Sequence, residues 1–259
     1  MNSSELRGQT ALVTGASSGL GAAFARLLAA RGCRLILTAR RAERLEALKA
    51  ELQAAHGIQA AAVPADLAAE GGPAALAAAV DALGWPVEVL INNAGRGVWG
   101  PHRELDWPTD RQMLRLDILA AAELVHLYLP AMLARGSGRI LLVSSVAAYQ
   151  PTPNFASYGA AKSYLLNFGE ALHRELRGSG VTVTVLSPGI TQTEFFAAAG
   201  QDKLSLYQRL TMMSAEQAAE IGLRALLRGR AAVVPGLLNG FFAWGASKIP
   251  RAWAAAATD

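Results

Sequence analysis

Thr10-Ala-Leu-Val-Thr-Gly15-Ala-Ser-Ser-Gly19-Leu20-Gly21-Ala-Ala-Phe-Ala-Arg-Leu-Leu-Ala-Ala-Arg-Gly32 is the stretch that decides how this chain folds. A short apolar run with β-branched residues breaks into three glycines. It resumes with helical periodicity and stops at Gly32. The reading is strand, glycine turn, helix. A second strand, Arg34 to Thr38, follows at once, then a charged amphipathic helix through about Ala55. A βαβ unit is thus complete within the first forty residues, with parallel strands and a right-handed crossover. The glycines permit a tight turn and let a pyrophosphate approach the backbone, while the helix that follows offers unpaired N–H groups and the positive end of its dipole. Ser17 and Ser18 add hydroxyl donors. The spacing Gly15-x-x-x-Gly19-x-Gly21 departs from the G-x-G-x-x-G fingerprint. Its place directly after the first strand favours nucleotide binding over a merely punctuated turn.

The alternation continues outward from this unit. Gln59 to Val63 reads as a third strand, Pro73 to Leu83 as a helix, and Val87 to Ile91 as a fourth strand. A long helix runs from about Thr109 to Ala134, strand five from Arg139 to Ser144, and a helix from Ser157 to Arg177. Strand six is Val181 to Leu186. After a polar stretch from Thr191 to about Lys203, helices begin near Leu204 and at Ala215, and Ala231 to Val234 is a candidate seventh strand. Strands alternating with helices mean a doubly wound α/β sheet. With no linker and no repeat beyond the βα rhythm, one domain over residues 1–259 fits better than two. Its cofactor half covers about 9–135, and its catalytic and substrate half about 136–259.

Composition narrows the classes. Of 259 residues, 52% are hydrophobic, ample for a large core, and the net charge of +4 is spread without a basic run. Nucleic acid is therefore not indicated as a partner. The single cysteine, Cys33, excludes a disulfide framework or a cysteine metal site within the chain, and reads as a small buried apolar residue. No metal is expected. The N-terminus lacks the apolar core of a signal peptide, and no apolar run reaches a membrane span, so a soluble cytoplasmic protein is expected.

Three further groups carry chemistry. At the end of the second strand, where an NAD site places an acid for the ribose 2′-hydroxyl, the chain has Ala39-Arg40-Arg41 and no acid before Glu43. A guanidinium suits a 2′-phosphate, which favours NADP(H) over NAD(H). Arg40 is the preferred candidate; Arg41 serves equally as the start of a charged helix. Asp66, just past the third strand, is placed to accept from an adenine amino group or to act as a turn residue. Asn92-Asn93-Ala94-Gly95 follows the fourth strand with small residues and amides. Lastly, Tyr158-Gly-Ala-Ala-Lys162 sets a phenol and an ammonium one above the other on a helix face. The ammonium favours the phenolate and pulls the tyrosine pKa down toward the working range of a general acid/base. Ser145, at the end of the fifth strand, faces the same cleft.

Thr14-Gly15-Ala16-Ser17-Ser18-Gly19-Leu20-Gly21, Asn92-Asn93-Ala94-Gly95, Ser145, Tyr158-x-x-x-Lys162 and Pro188-Gly189 stand in the order and spacing of the short-chain dehydrogenase/reductase family, and the chain resembles that family from about Gln9 to Val234. The resemblance implies a seven-stranded Rossmann-like parallel sheet. It implies Tyr158 as acid/base, Lys162 on the nicotinamide ribose, and Ser145 orienting a substrate carbonyl. Asp66 and Leu67 would flank the adenine, Asn93 to Gly95 would line the cofactor, and Ile190 to Thr193, after Pro188-Gly189, would meet its nicotinamide end. Relatives are often dimers or tetramers packed through two long helices, so a homodimer or homotetramer is expected. One departure stands out. Asp117 occupies the position of a family Asn that supports a bound water and a proton relay. The carboxylate keeps the backbone carbonyl but adds a charge, which is expected to pair with Lys162 or to raise its own pKa, reducing activity rather than abolishing it.

The function expected is an NADP(H)-dependent oxidoreductase that interconverts a ketone or aldehyde and its alcohol. The rivals are an NAD(H) enzyme and a nucleotide-binding regulatory protein with weakened catalysis. Trp99, Phe155, Phe195 and Phe196 suggest apolar pocket walls and a lipophilic substrate, although each also suits a core. The apolar stretch Leu237 to Trp253 could cap the pocket, bury at a subunit interface or rest on a membrane surface, and packing on the protein's own body or on a partner subunit is the expectation preferred.

Overall fold

The computed structural model describes residues 6–192, 195, 199–200, 211–246 and 248–256. Strand β1 (Thr10–Thr14), helix α1 (Gly19–Ala29) and strand β2 (Arg34–Thr38) form the first crossover, followed by α2 (Ala42–His56), β3 (Ala60–Ala62), α3 (Gly72–Asp81) and β4 (Val89–Asn92). The order then runs α4 (Trp107–Leu114), α5 (Ala121–Arg135), β5 (Gly138–Val143), α6 (Ala156–Glu175) and β6 (Val181–Leu186). Beyond these lie the two-residue strands β7 (Thr191–Gln192) and β8 (Met213–Ser214), α7 (Ala215–Leu227), β9 (Ala232–Val233), α8 (Leu237–Ala246) and α9 (Arg251–Ala256). Seven strands form one sheet in the order β3-β2-β1-β4-β5-β6-β9, every neighbour parallel. β7 and β8 pair separately. The expected seventh strand is β9, two residues long. The helix expected near Leu204 lies outside the described residues.

Alternation along each strand builds two cores, because successive side chains point to opposite faces. Ala11 and Val13, Leu35 and Leu37, and Val89 and Ile91 face Phe24 and Leu28 of α1 and Leu223 and Leu226 of α7. Leu12, Ile36, Leu90, Ile140 and Leu142 face Leu76, Leu124, Tyr128 and Met132 of α3 and α5. Both faces being covered, the strands read as near-continuous apolar runs. α6 approaches the sheet through Gly169, where a Cβ would run into Val185 and lie 3.0 Å from Leu142.

Two expectations are corrected. The long helix spans Trp107–Arg135 but is interrupted by a π turn at Arg115–Ala120, between α4 and α5. Contrary to the expectation that no apolar run reaches a membrane span, that composite helix is long and apolar enough to cross a membrane by length and composition. Its apolar residues Met113, Ala120, Leu124, Val125 and Met132 are buried in the fold, which accounts for part of the hydropathy of the run. Of the stretch Leu237 to Trp253, α8 turns one narrow face, Asn239 and Ala243, to the protein's own body. The large apolar side chains of that stretch are exposed.

The strand order reverses between β1 and β4. In open α/β sheets the crevice at such a reversal, outside the carboxyl ends of the strands, is where ligands bind. The residues singled out in the sequence gather there.

Candidate active site

β5 delivers two serines into the crevice. Ser144 Oγ donates to the Lys162 carbonyl at 2.7 Å, fixing the first turns of α6 against the strand end. Ser145 caps a 3-10 turn, Val146–Tyr149, and its Oγ accepts the Ala147 N–H at 3.2 Å. Ser163 Oγ donates to Ala148 carbonyl at 2.7 Å and ties the same turn to α6. These bonds hold Tyr158 and Lys162 on the helix face that looks toward Ser145. Both are buried. The Ser145 hydroxyl lies beside the Tyr158 phenol and favours its ionised form. Phe155 stacks on the Tyr158 ring, with centroids 4.4 Å apart, and Phe195 lies 5.4 Å from it. Trp99 meets Phe155 edge-on at 5.3 Å. Three of the four suspected aromatics therefore wall the space around the phenol; Phe196 lies outside the described residues.

Asp117 stands behind Lys162 rather than in the cleft wall. The π turn brings its carboxylate inward, fully buried, with Oδ2 at 2.9 Å from Lys162 Nζ and Oδ1 accepting the Arg96 N–H at 2.9 Å. Lys162 Nζ also donates to the Val143 carbonyl at 3.2 Å. Burial raises the Asp117 carboxyl, against the pull of Lys162 and the Arg96 amide. Lys162 is lowered by burial but raised more by Asp117 and Tyr158, which favour its ammonium form. The pairing expected for this position is what the fold builds.

The phenol does not follow the simple expectation. Burial lifts Tyr158 above the ordinary tyrosine value; Lys162 and the Ser145 hydroxyl pull it down, and the Asp117 charge pushes it up again. Burial outweighs the lysine, so the balance for Tyr158 lies above the ordinary tyrosine value.

At the other end of the cleft, Gly15 takes φ +67°, and a Cβ on Gly21 would run into the Gly15 carbonyl. The turn therefore closes onto the helix as only glycine allows. Thr14 Oγ1 accepts the N–H groups of Asn93 and Ala94 at 2.9 and 2.8 Å, and Asn93 Nδ2 donates to the Thr14 carbonyl at 2.8 Å, locking the two loops together. Asp66 Oδ1 accepts the Ala68 N–H at 3.0 Å, so it is a turn residue as well as a cleft residue. Arg41, left open by sequence, donates to Ser17 Oγ at 3.1 Å and Ser18 Oγ at 2.7 Å.

One cleft of about 830 Å³ joins these parts. Gly15, Ser17, Ser18, Gly19 and Leu20 line one end with Arg40 and Arg41; Asp66, Leu67 and Asn93 to Gly95 line the middle; Ser145, Tyr158, Lys162 and Pro188 to Ile190 line the other end. Gly21 supports the turn from behind, and Thr193 lies outside the described residues. Thr152 and Phe242 also line the cleft, as do Gln112 and Leu116, which were not anticipated, because nothing in their local sequence distinguishes them from ordinary surface or core positions. A dinucleotide fits this shape. Its phosphates would meet the glycine turn and its far end the Tyr158 wall, passing Gly95, where a Cβ would crowd Asp117 Oδ2 at 3.0 Å and Lys162 Nζ at 3.1 Å.

A family model described as short chain dehydrogenase matches residues 9–204. The chain belongs to the short-chain dehydrogenase family. A sulfoacetaldehyde reductase of Chromohalobacter salexigens is 37% identical over 217 residues, covering 80% of this short-chain dehydrogenase and 84% of the relative. Among solved structures, a short-chain dehydrogenase from Sphingobium yanoikuyae in complex with NADPH superimposes with a TM-score of 0.82 at 30% identity, covering 94% of this chain and 97% of that one. A Burkholderia phymatum relative in complex with NAD gives 0.82 at 25% identity, covering 93% of each. The family acts as oxidoreductases on alcohol and carbonyl groups with a nicotinamide nucleotide, and that coarse activity extends to this member.

Proposed function

We propose that this short-chain dehydrogenase is an NADP(H)-dependent reductase of ketones or aldehydes. The observation that carries the reading is the convergence of Ser145, Tyr158 and Lys162 on one end of a cleft whose other end is a glycine turn flanked by Arg40 and Arg41. The nicotinamide, when bound, supplies the hydride. Ser145 Oγ–H holds the substrate oxygen, and Tyr158 donates its phenolic proton to that oxygen. Lys162 then faces the phenolate and stabilises it by charge, its ammonium held in register by Asp117 and the Val143 carbonyl. The aromatic wall of Trp99, Phe155 and Phe195 favours apolar carbonyl compounds over small polar ones. Exposed Leu119, Leu127 and Leu133 on the π turn and α5, with Tyr164 on α6, support assembly through these helices into a homo-oligomer. A cytoplasmic location accords with the reading.

The test is NADPH oxidation by the purified protein against a panel of ketones and aldehydes, with Tyr158→Phe alongside. Turnover falling by about 10²–10⁴-fold in the variant is the expected result. NADPH binding without turnover of any carbonyl in either protein would transfer support to the nucleotide-binding, non-catalytic reading, which the tight Asp117–Lys162 pair favours.

A further inference from the structure

Helix α8 is inverted. The face it turns to the body holds Asn239 and Ala243, and Asn239 Nδ2 donates to the Pro235 carbonyl at 3.1 Å. The outward face holds Leu237, Phe241 and Trp244, spaced i, i+4, i+7 on one stripe, with Leu237 94% and Phe241 64% exposed. Beyond it, Ile249 and Trp253 are exposed as well. Of the twelve large hydrophobic side chains exposed among the described residues, seven fall between Leu237 and Trp253, so this is a patch and not the usual scatter. The rings of Phe242 and Trp244 each lie 6.1 Å from that of Phe241, which makes the surface continuous, and Phe242 is also a wall of the cleft.

Charge names the occupant. Residues 231–258 contain no Asp or Glu, and their two cations, Lys248 and Arg251, are exposed between α8 and α9. A second copy meeting this patch about a two-fold axis would set those cations against their own kind, with no acid between Leu237 and Ala256 to answer them. Anionic headgroups answer them directly. Tryptophans and aliphatics flanked by Lys and Arg are the side chains that rest at the headgroup–acyl boundary. We propose that the outward face of α8 and α9 docks on an anionic lipid bilayer, with the cleft opening beside it at Phe242. The docking stands independently of the reductase reading; delivery of apolar carbonyl substrates from the bilayer into the cleft rests on it.

Flotation of the full-length protein with vesicles of phosphatidylcholine alone, or mixed with phosphatidylglycerol, tests the proposal. The expected result is partition into the mixed vesicles only, with a blue shift of tryptophan emission, reversed by salt. Lys248→Gln/Arg251→Gln is expected to weaken partition roughly thirtyfold, and Phe241→Glu/Trp253→Glu to abolish it. Both variants should keep any turnover of a water-soluble carbonyl, so a silent enzyme and a failed docking read differently. Wild-type protein that stays with neither vesicle overturns the proposal. So does equal partition into both kinds, or a wild-type that ignores vesicles while Phe241→Glu/Trp253→Glu lowers its oligomeric mass, which would make the face an interface between copies.

Discussion

Asp117 binds Lys162 by charge, and that charge reaches Tyr158. Asp117→Asn keeps an oxygen for the Arg96 N–H but removes the carboxylate that raises both Tyr158 and Lys162. The sign follows for each group. Without the nearby negative charge, Tyr158 titrates lower, so the rise of alcohol oxidation with pH moves to lower pH. Lys162, left buried without its counter-ion, loses its proton earlier, so the alkaline limb also moves down. A pH profile of kcat/KM in the oxidative direction checks both limbs, and an unchanged profile would refute the coupling. Leaving the ammonium uncompensated costs about 3 kcal/mol of stability, readable by denaturant titration. At the glycine turn, Arg40→Ala and Arg41→Ala are each expected to weaken NADPH binding by roughly 10–100-fold, the worth of a lost charge-assisted hydrogen bond, while NADH binding hardly moves. Equal losses for both nucleotides would favour the NAD(H) reading. The signals legible in sequence were those set by short spacing: Tyr158 with Lys162, and Gly15 with Gly19 and Gly21. The grip of Arg41 on Ser17 and Ser18 spans over twenty residues and depends on how β1 and β2 lie side by side, so no local pattern announces it.

Helix α6 carries the phenol and the ammonium, and its position is set by how closely it can sit on the sheet. Gly169→Val would drive a branched side chain into Val185 and Leu142. Overpacking of this kind costs about 2–3 kcal/mol, and thermal unfolding should register it as a loss of several degrees. An unchanged melting temperature would mean that the helix has room to retreat. Activity should fall further than stability, since any retreat carries Tyr158 away from Ser145. At this scale the periodicity of the chain predicted nearly every element of the sheet, because both faces are buried and each strand is a plain apolar run. The π turn at Arg115–Ala120 escaped notice: one extra residue in a helical turn leaves the apolar spacing around it almost intact. The inversion of α8 escaped for a different reason. An apolar stripe in sequence says that a face wants cover, not where the cover comes from.

Among the described residues, large apolar side chains remain exposed on the π turn, α5 and α6 and again on α8 and α9. The first of these groups is expected to join copies of the chain. Leu119→Glu/Leu127→Glu should reduce the mass measured by light scattering to that of a monomer, and an unaltered mass would place the interface elsewhere. The sheet itself joins distant parts of the chain. Phe24 and Leu28 of α1 complete their burial only against α7, where a Cβ on Gly222 would lie 3.2 Å from the Phe24 ring. During synthesis, then, the first helix emerges with half its core missing, and Leu226 follows almost two hundred residues later. At about 5–20 residues per second that interval is roughly 10–40 s. For that time the nucleotide-binding turn exists on the ribosome as a sticky, unfinished fragment. Until the closing residues arrive, the apolar face of that first helix is open to whatever shields nascent chains.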